Sequence, residues 1–136
     1  MTDVLGPYGI AIASLGFAAV LMFIQLVVAD VVGIKTGQAP GYPIEANYGA
    51  FLFRANRAFS NTNESVSIFV LALAFAVLQT ANPFWVNTGA LVYLIGRLAH
   101  TICYYLNLSL LRSVSFGVAM IGILAILIAG FVGFFN

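Results

Sequence analysis

Two stripes of polar side chains interrupt an otherwise oily sequence. Arg57, Asn61 and Glu64 fall at i, i+4 and i+7 and therefore share one face of a helix. Arg97, His100 and Tyr104, at i, i+3 and i+7, do the same. Two antiparallel neighbours joined by a short turn can bring the stripes together as a polar pocket. Glu64 and Arg97 are expected to lie deepest and to partner each other. Arg112 and Ser113 follow at the start of the next apolar segment. Arg57 and Arg112 place fixed positive potential at the mouth, helped by the unpaired N–H groups of a helix amino end, which favour anions. Asn107 or Ser109 is expected to cap that helix. Glu64 offers a counter-site for an ammonium. A ligand with carboxylates and one amine fits this pattern. If it carries a thiol, Arg112 and Ser113 can hold the sulfur as a thiolate by charge and hydrogen bonding, beside a lipid-accessible surface.

The elements that must position these groups follow from composition. Of 136 residues, 62% are hydrophobic and 7% charged, against about 45–50% and 25% in a soluble domain. So few charges cannot cover a water-soluble body without large exposed apolar patches. A bilayer-spanning helix takes about 20 residues, so four take about 80 and leave about 56 for ends and loops. The composition excludes a soluble domain, a nucleic-acid binder and a disordered chain. It specifies an all-α, integral membrane four-helix bundle, a single domain over residues 1–136. The formal net charge of +1 argues for no polyionic partner, and the single cysteine, Cys103, allows no disulfide within one chain. Cys103 reads as a small buried apolar residue. Residues 1–7 hold Asp3 and no Lys or Arg, so no cleavable signal is expected.

The first apolar run goes from Val4 to Ala29, broken only by small residues and Gln25, and is expected to end at Asp30, Gly33 and Lys35. Gly37, Pro40, Gly41 and Pro43 mark a loop over 36–47. The second helix is expected from about Tyr48 to Gln79. The Asn82-Pro83 turn signal separates it from a third, about Phe84 to Leu106, and a short break at 107–109 leads to a fourth ending at Phe135. The first and fourth runs are plainly apolar; the second and third carry the stripes. With Gln79 at one boundary, Glu64 sits roughly 7 Å inside the other, Arg97 roughly 10 Å deep and His100 roughly 6 Å deep. The polar groups therefore collect in one leaflet. Lys35, Arg54, Arg57 and Arg112 share that side, which the positive-inside rule makes cytoplasmic, with both termini facing outward.

The strings Arg57-Ala58-Phe59-Ser60-Asn61-Thr62-Asn63-Glu64, Asn82-Pro83-Phe84, Gly96-Arg97-Leu98-Ala99-His100-Thr101-Ile102-Cys103-Tyr104 and Leu111-Arg112-Ser113 resemble the signature of the MAPEG family, the membrane-associated proteins of eicosanoid and glutathione metabolism. The resemblance covers about the middle half of the chain. It implies a homotrimer binding glutathione as co-substrate between subunits near the cytoplasmic side. Arg57, Asn61, Glu64, Arg97, His100 and Tyr104 would hold the tripeptide, and Arg112 and Ser113 would stabilise its thiolate. No metal is implied. The function implied is a glutathione-dependent transferase or peroxidase acting on a hydrophobic small-molecule electrophile or lipid hydroperoxide from the bilayer. Ser60 stands where many members place a second basic residue and Phe116 where many place a tyrosine. That departure keeps open a non-catalytic, lipid-binding or partner-activating protein. From the residues alone, the two stripes also read as a buried network fixing helix register or a subunit interface. Intramembrane Arg, Glu and His also mark ion paths, but the opposite leaflet offers no matching polar line.

Overall fold

The computed structural model describes residues 5–136; Asp3 and the start of the first run at Val4 lie outside the described residues. A short 3-10 turn, Gly6–Tyr8, leads into α1 (Gly9–Thr36), followed by α2 (Phe51–Leu78), α3 (Pro83–Tyr105) and α4 (Ser109–Phe135). Among the described residues there is no strand. The outer surface is apolar: Phe17, Phe23 and Leu71 are each more than three-fifths exposed. Water is the wrong solvent for such a surface and lipid the right one. Among the described residues, three segments are long and apolar enough to cross a membrane, Gly6–Thr36, Phe51–Leu78 and Ser109–Phe135. α2 thus joins the plainly apolar runs, because its charges crowd into its amino half. α3 does not qualify on composition, although its 23 residues extend about 34 Å, enough for the hydrocarbon core.

Helix ends explain where the sequence reading and the structure differ. α1 runs through Asp30 and Gly33 to Thr36, one residue past Lys35, the last of the residues expected to end it. Charge at a membrane boundary does not break a helix; a left-handed residue does. Gly37 (φ 71°) supplies it, with its N–H on the Ile34 carbonyl and that of Gln38 on the Gly33 carbonyl. α2 ends the same way at Thr80 (φ 49°) and α3 at Asn107 (φ 58°). Thr80 and Ala81 bond back to Val77 and Ala76, and Asn107 and Leu108 to Tyr104 and Cys103. Asn107 therefore closes α3 and does not cap α4. Nor does Ser109, which is the first residue of α4; the capping position is Leu108, with no side-chain cap bond. The Asn82-Pro83 turn separates α2 from α3 as expected, and Asn82 also caps α3, accepting from the Phe84 N–H, with Pro83 as first helical residue.

α3 is the most enclosed helix, with ten buried residues from Val86 to Tyr104, and it packs most extensively on α4. Glycines permit this. A Cβ at Gly96 would stand 2.6 Å from the Ala119 backbone N, and one at Gly122 would stand 2.6 Å from both the Gly89 carbonyl and the Tyr93 N. Backbones this close gain van der Waals contact that larger residues would prevent. The start of α1 is pinned to the far end of the bundle. The Tyr8 hydroxyl donates to the Ala81 carbonyl (2.6 Å), and Asn87 bridges Pro7 and Ala11. Midway, Tyr93 stacks on Phe69 with ring centroids 4.1 Å apart, and its hydroxyl lies 3.1 Å from that of Ser65. Everything polar and buried beyond Ser65 lies toward the opposite end, where α2 begins and α3 finishes.

Candidate functional site

At that end a recess of about 230 Å³ is lined by Asn61, His100, Tyr104, Arg112, Ser113 and Phe116. Three helices meet there. Asn61 comes from α2, His100 and Tyr104 from successive turns of α3, and Arg112, Ser113 and Phe116 from the first two turns of α4. The turn closed by Asn107 folds α4 back on α3 and so brings Arg112 over Tyr104. Its guanidinium carbon stands 4.6 Å from the Tyr104 ring centroid and 4.9 Å from that of Tyr48, from the loop before α2. Two aromatic faces hold the cation through their ring quadrupoles. Nη1 is buried without a hydrogen-bond partner, and among the described residues no protein acceptor is bonded to this side chain. The His100 ring meets Tyr104 edge-on at 4.9 Å, and its buried Nδ1 also has no partner. The Ser113 hydroxyl donates to the Ser109 carbonyl at 3.3 Å.

Arg97 lies beneath the recess, 1% exposed. Nη1 and Nη2 each donate to Asn61 Oδ1 at 3.1 Å, and Nη2 donates to Thr62 Oγ1 at 2.9 Å. Phe116 lies 5.9 Å from its guanidinium carbon. A buried cation is costly unless its donors are satisfied; here an amide oxygen and a hydroxyl take up Nη1 and Nη2, while Nε is buried without a partner. Thr62 also accepts from Gln25 Nε2 of α1 at 3.0 Å, and the same nitrogen donates to Thr101 Oγ1 at 2.7 Å. Thr101 in turn donates to the Arg97 carbonyl (2.8 Å), closing a network across three helices.

The expected Glu64–Arg97 pair does not form. Glu64 is exposed, and Arg97 is bonded to Asn61 and Thr62 instead. At 100° per residue, Arg97 approaches α2 between the directions of positions 61 and 62, whereas position 64 lies about 160° from position 62. Arg57 and Glu64 are within about 20° of each other on the helical wheel, and neither lines the recess. Of the residues singled out from the sequence, Asn61, His100, Tyr104, Arg112 and Ser113 therefore come together, with Arg97 directly below; Arg57 and Glu64 stand aside. Arg54 folds back to bond the Tyr48 and Gly49 carbonyls (2.6 and 3.0 Å), and Cys103 is buried. Sequence reasoning gave no role to Gln25, Tyr48, Thr62 or Thr101. A lone amide in a long apolar run was the available signal for Gln25; nothing marked Tyr48, whose partner is distant in sequence. A larger hollow, about 720 Å³, lies at the other end beside Trp85 and Gly133, and no charged side chain lines it.

A bundle of membrane-crossing helices that gathers arginine, histidine and amide groups at one end defines an integral membrane protein with a polar, anion-suited recess. The MAPEG family model matches residues 10–132, and the chain belongs to the MAPEG family, which covers glutathione transferases, peroxidases and related proteins. No curated protein matches the sequence.

Proposed function

We propose that this protein is a membrane glutathione-dependent transferase or peroxidase, acting on hydrophobic electrophiles or lipid hydroperoxides. The observation that carries the reading is Arg112: a cation fixed by two tyrosine faces, beside a recess, with no acceptor of its own. A charge placed in this way lacks an anion, and the recess donors suit an acceptor-rich tripeptide. Asn61, His100 and Tyr104 would hold the peptide portion, and Arg112 and Ser113 would face the sulfur. Bound there, glutathione supplies a nucleophilic sulfur for an electrophilic carbon or a hydroperoxide oxygen. Arg112 favours the ionised sulfur by charge, and Ser113 adds a hydroxyl donor once it releases the Ser109 carbonyl. Phe116 and the outer faces of α4 give an oily substrate its approach.

A homotrimer accounts for Arg57 and Glu64. Glu64 is an exposed carboxylate on a membrane helix, costly against lipid and useful against a neighbouring copy. Arg57 and Glu64 would then complete the glutathione site from the subunit boundary. The concentration of Lys35, Arg54, Arg57 and Arg112 at this end supports a cytoplasmic recess with both termini opposite. Calorimetric titration of the purified protein in detergent with glutathione tests the reading. Binding with the ultraviolet difference absorbance of a thiolate is expected, and Arg112→Ala should abolish that absorbance. No heat at millimolar glutathione refutes it. Lipid binding that survives Arg112→Ala, with no turnover of a chloro-nitroaromatic electrophile by the unaltered protein, would assign the chain to the non-catalytic, partner-activating members.

A further inference from the structure

Asn61 is the single α2 residue lining the recess, and its amide has a fixed sense. Both terminal nitrogens of Arg97 donate to Oδ1, so the oxygen faces down and the Nδ2 donor is the end left for a ligand. That orientation depends on where Arg97 is held. Arg97 Nη2 shares Thr62 Oγ1 with Gln25 Nε2, and the Thr62 hydroxyl gives its proton to the Ala58 carbonyl at 3.0 Å. Thr62 therefore acts only as an acceptor toward both. Thr101, which accepts from the same Gln25 nitrogen, donates its own proton to the Arg97 carbonyl. Gln25 is wholly buried on α1, does not line the recess, and is tied to both threonines that touch Arg97.

We infer that Gln25 is a positioning residue: through Thr62 and Thr101 it sets Arg97, and through Arg97 it orients the Asn61 amide as a hydrogen-bond donor to an acceptor group of the bound ligand. This role rests on the recess being the ligand site proposed above. The consequence is specific. Gln25 should govern how tightly the acceptor end of the ligand is held, while the ionisation of its sulfur remains with Arg112.

Gln25→Met separates the role from bulk stability. Methionine removes the buried, unpaired Oε1 together with the bonds that Nε2 donates to Ala58, Thr62 and Thr101, and thermal melting in detergent checks that the bundle is retained. Thr62→Val cuts the next link and serves as the second variant. Expected with Gln25→Met is a rise of about tenfold in the glutathione Kd, the scale of one lost hydrogen bond to a charged group, with stoichiometry and the thiolate absorbance at saturation unchanged. In an Asn61→Ala background Gln25→Met should add nothing further. Without ligand, asparagine-selective isotope labelling in detergent should show the Asn61 side-chain amide signals shifting or broadening in both variants; Asn61→Ala assigns them. Additive losses with Asn61→Ala, or Asn61 signals unmoved by Gln25→Met, overturn the role. Should the unaltered protein bind no glutathione, the proposed function fails, while the amide spectrum still decides the relay.

Discussion

Gly96→Ala places a single methyl where the site is most sensitive to it. The new Cβ would lie 2.6 Å from the Ala119 backbone N and 2.9 Å from both its Cα and Cβ, against a comfortable separation of about 3.5 Å. The obstructing atoms belong to a helix backbone, so no side-chain rotation relieves the clash, and α3 and α4 must part by about 0.9 Å. The cost expected for such overpacking is about 1–3 kcal/mol. The larger effect is geometric. Position 96 is one turn before His100, and Ala119 is two turns after Arg112, so the separation opens the recess between its α3 and α4 walls. A displacement of about 1 Å at a reacting centre can cost on the order of 100-fold in rate. Thermal denaturation in detergent and conjugation of a hydrophobic electrophile would read the two effects. Gly117→Ala is the control, because its Cβ meets nothing within 4 Å; it should keep or slightly raise stability through helix propensity. A Gly96→Ala protein with unaltered melting and unaltered turnover would refute the packing argument.

Further outcomes can be checked independently. Tyr104→Phe keeps an aromatic face under Arg112 and should leave the thiolate absorbance intact, whereas Tyr104→Leu removes it; the loss, about 0.5–2 kcal/mol, should appear as weaker glutathione binding by titration. Thr80, β-branched at φ 49°, carries strain of about 1–2 kcal/mol, so Thr80→Asn should raise the melting temperature. Cys103, 7% exposed, should resist a bulky maleimide in the folded protein and react only after denaturation, as followed by mass shift.

The four helices and the three turns were legible because long apolar runs, Asn82-Pro83 and the glycine-proline loop are signals carried by composition and local chemistry. The two stripes were legible because helical periodicity fixes which residues share a face. The choice of partner within a stripe was not. Depth along the membrane normal put Glu64 and Arg97 at similar heights, but only the rotation of α2 about its axis decides whether position 62 or position 64 turns toward α3. That rotation is set by packing such as Gly96 on Ala119 and Tyr93 on Phe69, which no local signal carries. For the same reason Gln25 stood out as an anomaly without a role: its partners lie 37 and 76 residues away in the chain. The ends expected at Gln79 and Leu106 fall within one residue of those observed, whereas Asp30 and Gly33 did not stop the first helix, which closes at left-handed Gly37.

The enclosure of α3 bears on how the chain is inserted during synthesis. Alone, Pro83–Tyr105 would expose Arg97 to hydrocarbon, at roughly 2.5–3.5 kcal/mol for the arginine even on the lenient scale. Its neighbours remove that expense: α2 supplies the acceptors for Arg97, and α4 seals the glycine face. A ribosome releasing this sequence would therefore be expected to hold α3 at the translocation channel until α4 emerges. The last two helices would then move sideways into lipid as one hairpin against the pair already there.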